Sequence, residues 1–425
     1  MHSAVKLSLA AGAAILAGSA TAQPAQKVTG PIATYWVSAQ THTGFGMPGA
    51  GAGAAASPAQ IMQMMRGGGA QHTLTLQLGS SDKPAAAPAA EHLPPPGLKA
   101  GPSLPLVTPT AQPAQRTEEQ PSMPREFERP RGKMLIFWGC GERAKAGQPV
   151  VIDFAQMQPG KMPPGLEALG RGLNVTPMQP PAPGRTATYG EWPNARARTS
   201  VPGDGSLVGE HTVRGNYSPE IRFALSPQQD FLAPLSLTTN AKTATGSVQL
   251  GWNAVPNAQA YLATVMGGQE ETMVLWTSSE VQASAFALPD FISPGDLTRL
   301  VASKALMGPQ TTSCTVPREV AEAAPQAVLQ LAAYGPEANF VHPPRPSDPK
   351  VAWDRQWQVK VRYRSATGGL LGQPMPGMAE AGDDDDARPA RPGEQPPRPD
   401  KKKDARRQIL KGLGGALGVP VPPIP

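Results

Sequence analysis

Residues 248–265 read VQLGWNAVPNAQAYLATV, and the fold class turns on this run. Val248, Leu250 and Trp252 alternate with Gln249 and Gly251, so a pleated chain places the three apolar side chains on one face. Asn253 to Ala258 is rich in turn formers, and Tyr261 to Val265 resumes a β-prone sequence. Two half-buried strands joined by a short turn are expected, in an antiparallel sheet with one covered face.

Toward the C-terminus, Met273 to Trp276 supplies another apolar strand. Trp357 to Tyr363 (WQVKVRY) alternates again, with Trp357, Val359, Val361 and Tyr363 inward, and Ser365 to Gly369 reads as a turn. Pro234-Leu235-Ser236-Leu237 leads into the run from the other side. Together these residues resemble a fibronectin type III domain. That family has a Pro-led first strand, a V-x-L-x-W second strand and a Tyr opening the third; here these are Pro234, then Val248, Leu250 and Trp252, then Tyr261. Its penultimate strand, an alternating V-x-V before a Gly turn, looks like Val359 to Gly369. The resemblance covers about residues 232–372 and implies a two-sheet β-sandwich with Trp252, Tyr261 and Trp357 in its core. Two features depart from the pattern: residues 300–350 stand where the family has a short connection, and Trp357 stands where a corner tyrosine belongs. Inside that insertion Val320, Ala324, Val328 and Leu331 form a stripe broken by Pro325, so a helix is expected from about Gln326 to Ala333.

The N-terminal half offers fewer strands, farther apart. Residues 31–39 (PIATYWVSA) and His72 to Leu78 (HTLTLQL) are two of them, the second with Leu74, Leu76 and Leu78 on one face. Met134 to Trp138 (MLIFW) is continuously apolar, as in a strand covered on both faces, and Val150 to Phe154 can pair with it as a hairpin. Glu220 to Leu225 is a further strand, and Ser57-Pro58 opens a short helix through Met65. With 51 Pro and 45 Gly, these two residues make up about a quarter of the 425-residue chain. They concentrate in 82–130, 156–206 and 373–425, where a packed core is hard to build. The expected class is therefore mainly β: a discontinuous N-terminal β-sheet region plus a fibronectin type III-like sandwich, with long disordered Pro/Gly-rich segments. The expected divisions are a signal peptide (1–22), a β segment with a short helix (23–81), a Pro-rich linker (82–130), a second β segment with coil (131–231), the sandwich (232–372) and a charged tail (373–425).

Export is read from the N-terminus. Lys6 precedes the apolar run Leu7 to Gly18, and Ala20-Thr21-Ala22 supplies a small-x-small cleavage pattern that leaves Gln23 first. The run is too short to span a bilayer, and 5% aromatics cannot furnish the girdles of an outer-membrane barrel. A formal charge of +6, spread over the whole length, excludes the dense basic surface that nucleic acid requires. The Ala/Gly/Pro/Arg bias accompanies a bacterial, high-GC composition, and the expected location is the periplasm or the cell exterior.

Candidate chemistry is sparse. Cys140 and Cys314 are the only cysteines and, in an oxidising compartment, form a disulfide; two buried thiols are the alternative. Cys140, between Gly139 and Gly141, would become a hydrolase nucleophile only beside an imidazole such as His72 or His211. Met62 and Met65, on one helical face, with His72 downstream, offer thioether and imidazole ligands to Cu(I); gap-filling methionines are the plainer reading. Asp383 to Asp386 lacks the spaced ligands of a calcium site. The basic block Lys401-Lys402-Lys403 with Ile409, Leu413 and Leu417 suggests weak membrane-surface contact by the tail. Asn174-Val175-Thr176 and Asn216-Tyr217-Ser218 match glycosylation sequons, which mean little in a bacterium. No phosphate-cradling loop, H-E-x-x-H or G-x-S-x-G motif is present, and no cofactor is expected. The reading is an exported non-enzymatic envelope protein that contacts another envelope protein or a surface polymer, with copper binding and a Cys140 hydrolase as alternatives.

Overall fold

The computed structural model describes residues 26–44, 69–109, 132–156, 173–197, 200–282 and 288–373. The expected signal segment, the helix expected around Met62 and Met65, and residues beyond Gln373 lie outside these ranges.

Alternating apolar sequence yields a mainly β molecule built on one long sheet. From edge to edge its nine strands are β7 (Val150–Asp153), β6 (Lys133–Trp138), β14 (Thr272–Thr277), β13 (Ala260–Gln269), β16 (Val328–His342), β18 (Trp357–Leu370), β2 (Ala33–Gly44), β3 (Gln71–Ser80) and β8 (Thr188–Trp192). The N-terminal strands thus sit at both ends of a sheet whose middle comes from the C-terminal half. Parallel pairing makes both joins, β6 to β14 and β2 to β18, which is possible because long stretches of chain separate the partners. The hairpin expected from MLIFW and Val150 to Phe154 forms as β6 and β7. Leu74, Leu76 and Leu78 share the buried face of β3.

Two smaller sheets cover one face, here called inner. One is β11 (Leu237–Lys242), β12 (Val248–Trp252) and β15 (Ser313–Val316). The other is β10 (Ile221–Leu225), β9 (Gly209–Gly215), β4 (Ala90–Leu93) and β5 (Leu104–Leu106). Both pack on the long sheet in one continuous hydrophobic core, in which Val248, Leu250, Trp252 and Tyr261 are buried and the Trp252 and Tyr261 rings lie 5.8 Å apart. The connecting segment crosses between the two small sheets, pinned where Thr41 Oγ1 donates to Leu232 O (2.7 Å) and Tyr363 Oη donates to Gln229 O (2.8 Å). β16 serves both halves because it shifts register between Tyr334 and Glu337. Pro336 cannot donate to a ladder, and a Cβ on Gly335 would lie 2.9 Å from Tyr363 O, so this pair suits a bulge.

On the outer face, α1 (Pro294–Ala302) buries Leu297 and Leu300 against Ala260, Leu262 and Tyr334 in a second, smaller core. Its start is fixed by the Ser293 side chain, which accepts from Asp296 N, with Pro294 in the first turn. A second helix, α2 (Arg318–Ala323), leads into β16, and a two-residue parallel pair joins β1 (Val28–Thr29) to β17 (Trp353–Asp354).

Several expectations are corrected. The Pro-rich linker at 82–130 is folded over 82–109, where β4 and β5 lie and Leu98, Leu104 and Leu106 are buried. Pro105 is accommodated because β5 is an edge strand and Pro105 points outward, so its missing N–H leaves no interior ladder bond unmade. The coil at 156–206 contains β8. The helix from Gln326 to Ala333 is instead the first half of β16, because pairing with β13 and β18 overrides a weak stripe of four residues. Residues 300–350 are not an insertion, since β15, α2 and β16 fall within them. Trp357–Leu370 is the last strand among the described residues, and Ser365 to Gly368 continue it with partners on both sides instead of turning.

Candidate functional site

Cys140 and Cys314 are bonded, with Cα atoms 5.4 Å apart and sulfurs at 2.12 Å. Cys140 follows β6 and Cys314 lies in β15, so the bond ties the long sheet to the three-stranded one. Gly141 N donates to Thr315 O (2.8 Å) and Gly139 N to Thr277 O (2.9 Å), which hold the turn in place around the sulfur. Gly139 has φ +89°, a conformation glycine supplies without strain. A sulfur held in a disulfide is no thiolate, so Cys140 is not a nucleophile in this state. The shallow cleft beside it, about 320 Å³, has Glu280 on its wall. That carboxylate is already engaged by Cys140 N (3.1 Å) and by the Lys145 ammonium.

His72 faces inward and stacks on Phe231, with ring centroids 3.8 Å apart. Burial lowers its pKa. Met62 and Met65 lie outside the described residues, and among the described residues no three His, Cys, Asp or Glu side chains converge as metal ligands.

Two arrangements were not legible in the sequence. The first is a buried chain of hydrogen bonds joining two sheets: Tyr35 on β2, His92 on β4 and His211 on β9. Leu207 O only accepts, so His211 Nε2 donates to it (2.7 Å). Neutral His211 therefore accepts at Nδ1 from His92 Nε2 (3.0 Å), and His92 accepts at Nδ1 from the Tyr35 hydroxyl (2.5 Å). Every ring nitrogen is used, and only neutral rings fit. Burial holds His211 down to about 4 and His92 well below its ordinary value. Phe223 stacks on His211 (4.8 Å). All three polar residues are sealed from solvent, so the chain is a structural seam between sheets.

The second arrangement is a polar strip on the outer face, where β2 and β18 lie side by side. The register pairs Arg362 with Ser38 and Arg364 with Gln40, and places His42 opposite Ala366. Arg362 lies over the rings of Trp36 (4.8 Å) and Phe291 (4.2 Å), and its Nε donates to Ser38 Oγ (2.8 Å). No carboxylate reaches ion-pair distance of its guanidinium among the described residues, and burial lowers its pKa to about 10. Arg364 bonds Gln40 Oε1 (3.2 Å) and approaches Asp290 (3.4 Å), yet its Nε has no partner. His42 is buried with neither ring nitrogen hydrogen-bonded, and burial followed by the nearby Arg364 charge lowers its pKa to about 4. Glu337 pairs with Lys360 through one oxygen and leaves Oε1 buried without a donor. Buried polar groups are rarely left unpaired in a native protein, so those of His42, Arg364 and Glu337 mark this face. The alternation of Lys360, Arg362 and Arg364 was visible as the outward half of WQVKVRYR; what lies opposite was not.

No protein-family model, no curated protein and no solved structure matches this chain.

Proposed function

We propose that the protein is an exported, non-enzymatic protein of the bacterial envelope, periplasmic or on the cell exterior, that binds an envelope protein or a surface polymer. The outer strip of β2 and β18 is its binding face. The observation that carries this reading is the row of partly exposed cations Lys360, Arg362 and Arg364 along that face, of which Arg362 has no carboxylate at ion-pair distance among the described residues. Export is supported by the disulfide, which persists in oxidising compartments, together with the Lys6, Leu7 to Gly18 and Ala20 to Ala22 pattern. Residues 232–372 are read as a fibronectin type III-like sandwich. In support, β11 and β12 pair in one sheet while β13 and β14 pair in the opposing one, with Trp252 and Tyr261 between them. Sandwiches of this kind recur as binding modules, a warrant of fold analogy alone.

In-cell crosslinking of the tagged mature protein, followed by mass spectrometry of envelope fractions, tests the reading. A partner recovered near one-to-one from wild type and lost from Arg362→Gln is the expected result. Recovery of nothing above background, or of the same partner from both chains, removes the strip as the binding face.

A further inference from the structure

The cleft beside the disulfide reaches one of the two bonded cysteines and not the other. Cys140 is half-buried and lines the cleft. Cys314 is 5% exposed, pairs opposite Leu250 and has no place on the cleft wall. Exchange at a disulfide goes by attack of a thiolate on the accessible sulfur, so from this cleft Cys140 is attacked and Cys314 leaves. A thiolate freed among core side chains is costly, so Cys314 takes a proton as it goes. The rest of the wall specifies the attacking molecule. At about 320 Å³ the cleft stands at the small end of ligand sites, which admits a small molecule. Val301, Leu306 and Met307 offer an apolar wall to a short carbon stem. Lys304, just past α1, adds an ammonium that has no carboxylate at ion-pair distance among the described residues. Glu280, the one carboxylate among the lining residues, is matched by Lys145.

We propose that the cleft is a thiol–disulfide exchange site, at which Cys140 is thiolated by a small thiol carrying a carboxylate. The incoming sulfur bonds to Cys140 Sγ as the Cys140–Cys314 bond breaks, and the proton lost by the incoming thiol goes to Cys314. One disulfide and one thiol become one mixed disulfide and one thiol, with no other oxidant or reductant. Lys304 receives the carboxylate, and Val301, Leu306 and Met307 take the stem. The bonds from Gly141 N to Thr315 O and from Gly139 N to Thr277 O do not involve the sulfurs, so the adduct forms on the folded chain. This site shares no residue with the face of β2 and β18, and either can fail without the other.

The test exposes the oxidised full chain to thioglycolate or to 2-mercaptoethanol at pH 8 and low ionic strength. Samples are quenched with acid at intervals, free thiols are alkylated, and both cysteines are mapped by mass spectrometry. Early samples should carry the adduct on Cys140 and the alkyl group on Cys314. For each chain the thioglycolate rate is divided by the 2-mercaptoethanol rate. Lys304→Asn should lower this quotient about two- to fivefold, the size of one exposed ion pair, because the intrinsic reactivities of the two thiols are unchanged. Asparagine suits the left-handed backbone at Lys304 (φ 57–60° class, here 59°), and Lys304→Arg, which keeps the cation, should keep the quotient. A circular-dichroism melt establishes that each variant is folded, and Lys304→Gln serves if Asn is not. An adduct on Cys314, no Cys140 adduct at any time, or an adduct that forms only when urea unfolds the chain overturns the exchange site. A quotient equal in wild type and Lys304→Asn overturns the carboxylate assignment.

Discussion

His92 and His211 show how a single side chain sets a solution property. Burial keeps both neutral in the folded protein, and each accepts a hydrogen bond at Nδ1, which only a neutral ring can do. Their folded pKa lies below the unfolded 6.5, so the unfolded chain binds more protons between those values. Stability from these groups is fully present above about pH 6.5 and falls as the pH drops toward 4. For His211 the window from 6.5 to about 4 corresponds to about 3 kcal/mol, at about 1.4 kcal/mol per pH unit. Urea unfolding at a series of pH values should show stability level above pH 7 and declining below 6. His211→Phe should keep the stacking on Phe223 but leave His92 Nε2 without an acceptor, for a loss of about 1–3 kcal/mol at pH 7. It should also flatten the acid limb by about one proton. An unchanged acid limb would exclude His211 as a titrating group.

At the scale of elements, the inter-sheet disulfide and close backbone approaches do the fixing. The bond closes a separation of 174 residues, so removing it with Cys140→Ser plus Cys314→Ser should cost about 2–5 kcal/mol. The backbone bonds from Gly139 and Gly141 to Thr277 and Thr315 remain, so the variant should stay folded, with a lower urea midpoint. Gly267 on β13 offers a sharper contrast, because an added Cβ would lie 2.7 Å from both Cα and Cβ of Ala327. Gly267→Val should destabilise by about 1–3 kcal/mol through overpacking. Gly295→Ala, in the first turn of α1 with open space around it, should be neutral or stabilising by up to about 1 kcal/mol. Equal midpoints for the two glycine variants would contradict the close approach.

At the scale of the molecule, the boundary at residue 232 does not separate independent bodies. β18 has β2 as a twelve-residue parallel neighbour, and β14 has β6 along its whole length. A fragment of residues 232–372 would expose both as long apolar edges and leave Cys314 unpaired, which favours edge-to-edge aggregation. Such a fragment should elute as aggregate or melt without cooperativity, whereas the full chain should melt in one transition. A monomeric, cooperative fragment would show instead that residues 232–372 are self-sufficient.

Local pattern carried a good part of this fold. The alternation of Leu74, Leu76 and Leu78, of Val248, Leu250 and Trp252, and of Trp357 to Tyr363 determined which strands exist and which faces are buried, because side chains on a strand alternate with period two whatever the partner. Two lone cysteines were enough to name a pair that the structure shows bonded. Pairing partners were not local. Parallel ladders between residues well over a hundred positions apart leave no turn signal, so the joins of β2 to β18 and β6 to β14 had no mark in the sequence. The same holds where tertiary pairing overrode a weaker local preference, in the strand at Val328 to Ala333 and the folded prolines of 82–109. The outer strip belongs to this second class. The outward residues of β18 could be counted from the sequence, but only the apposition of β2, β16 and the loop before α1 set Arg362 over Trp36 and Phe291 and left Arg364, His42 and Glu337 with bonds unmade.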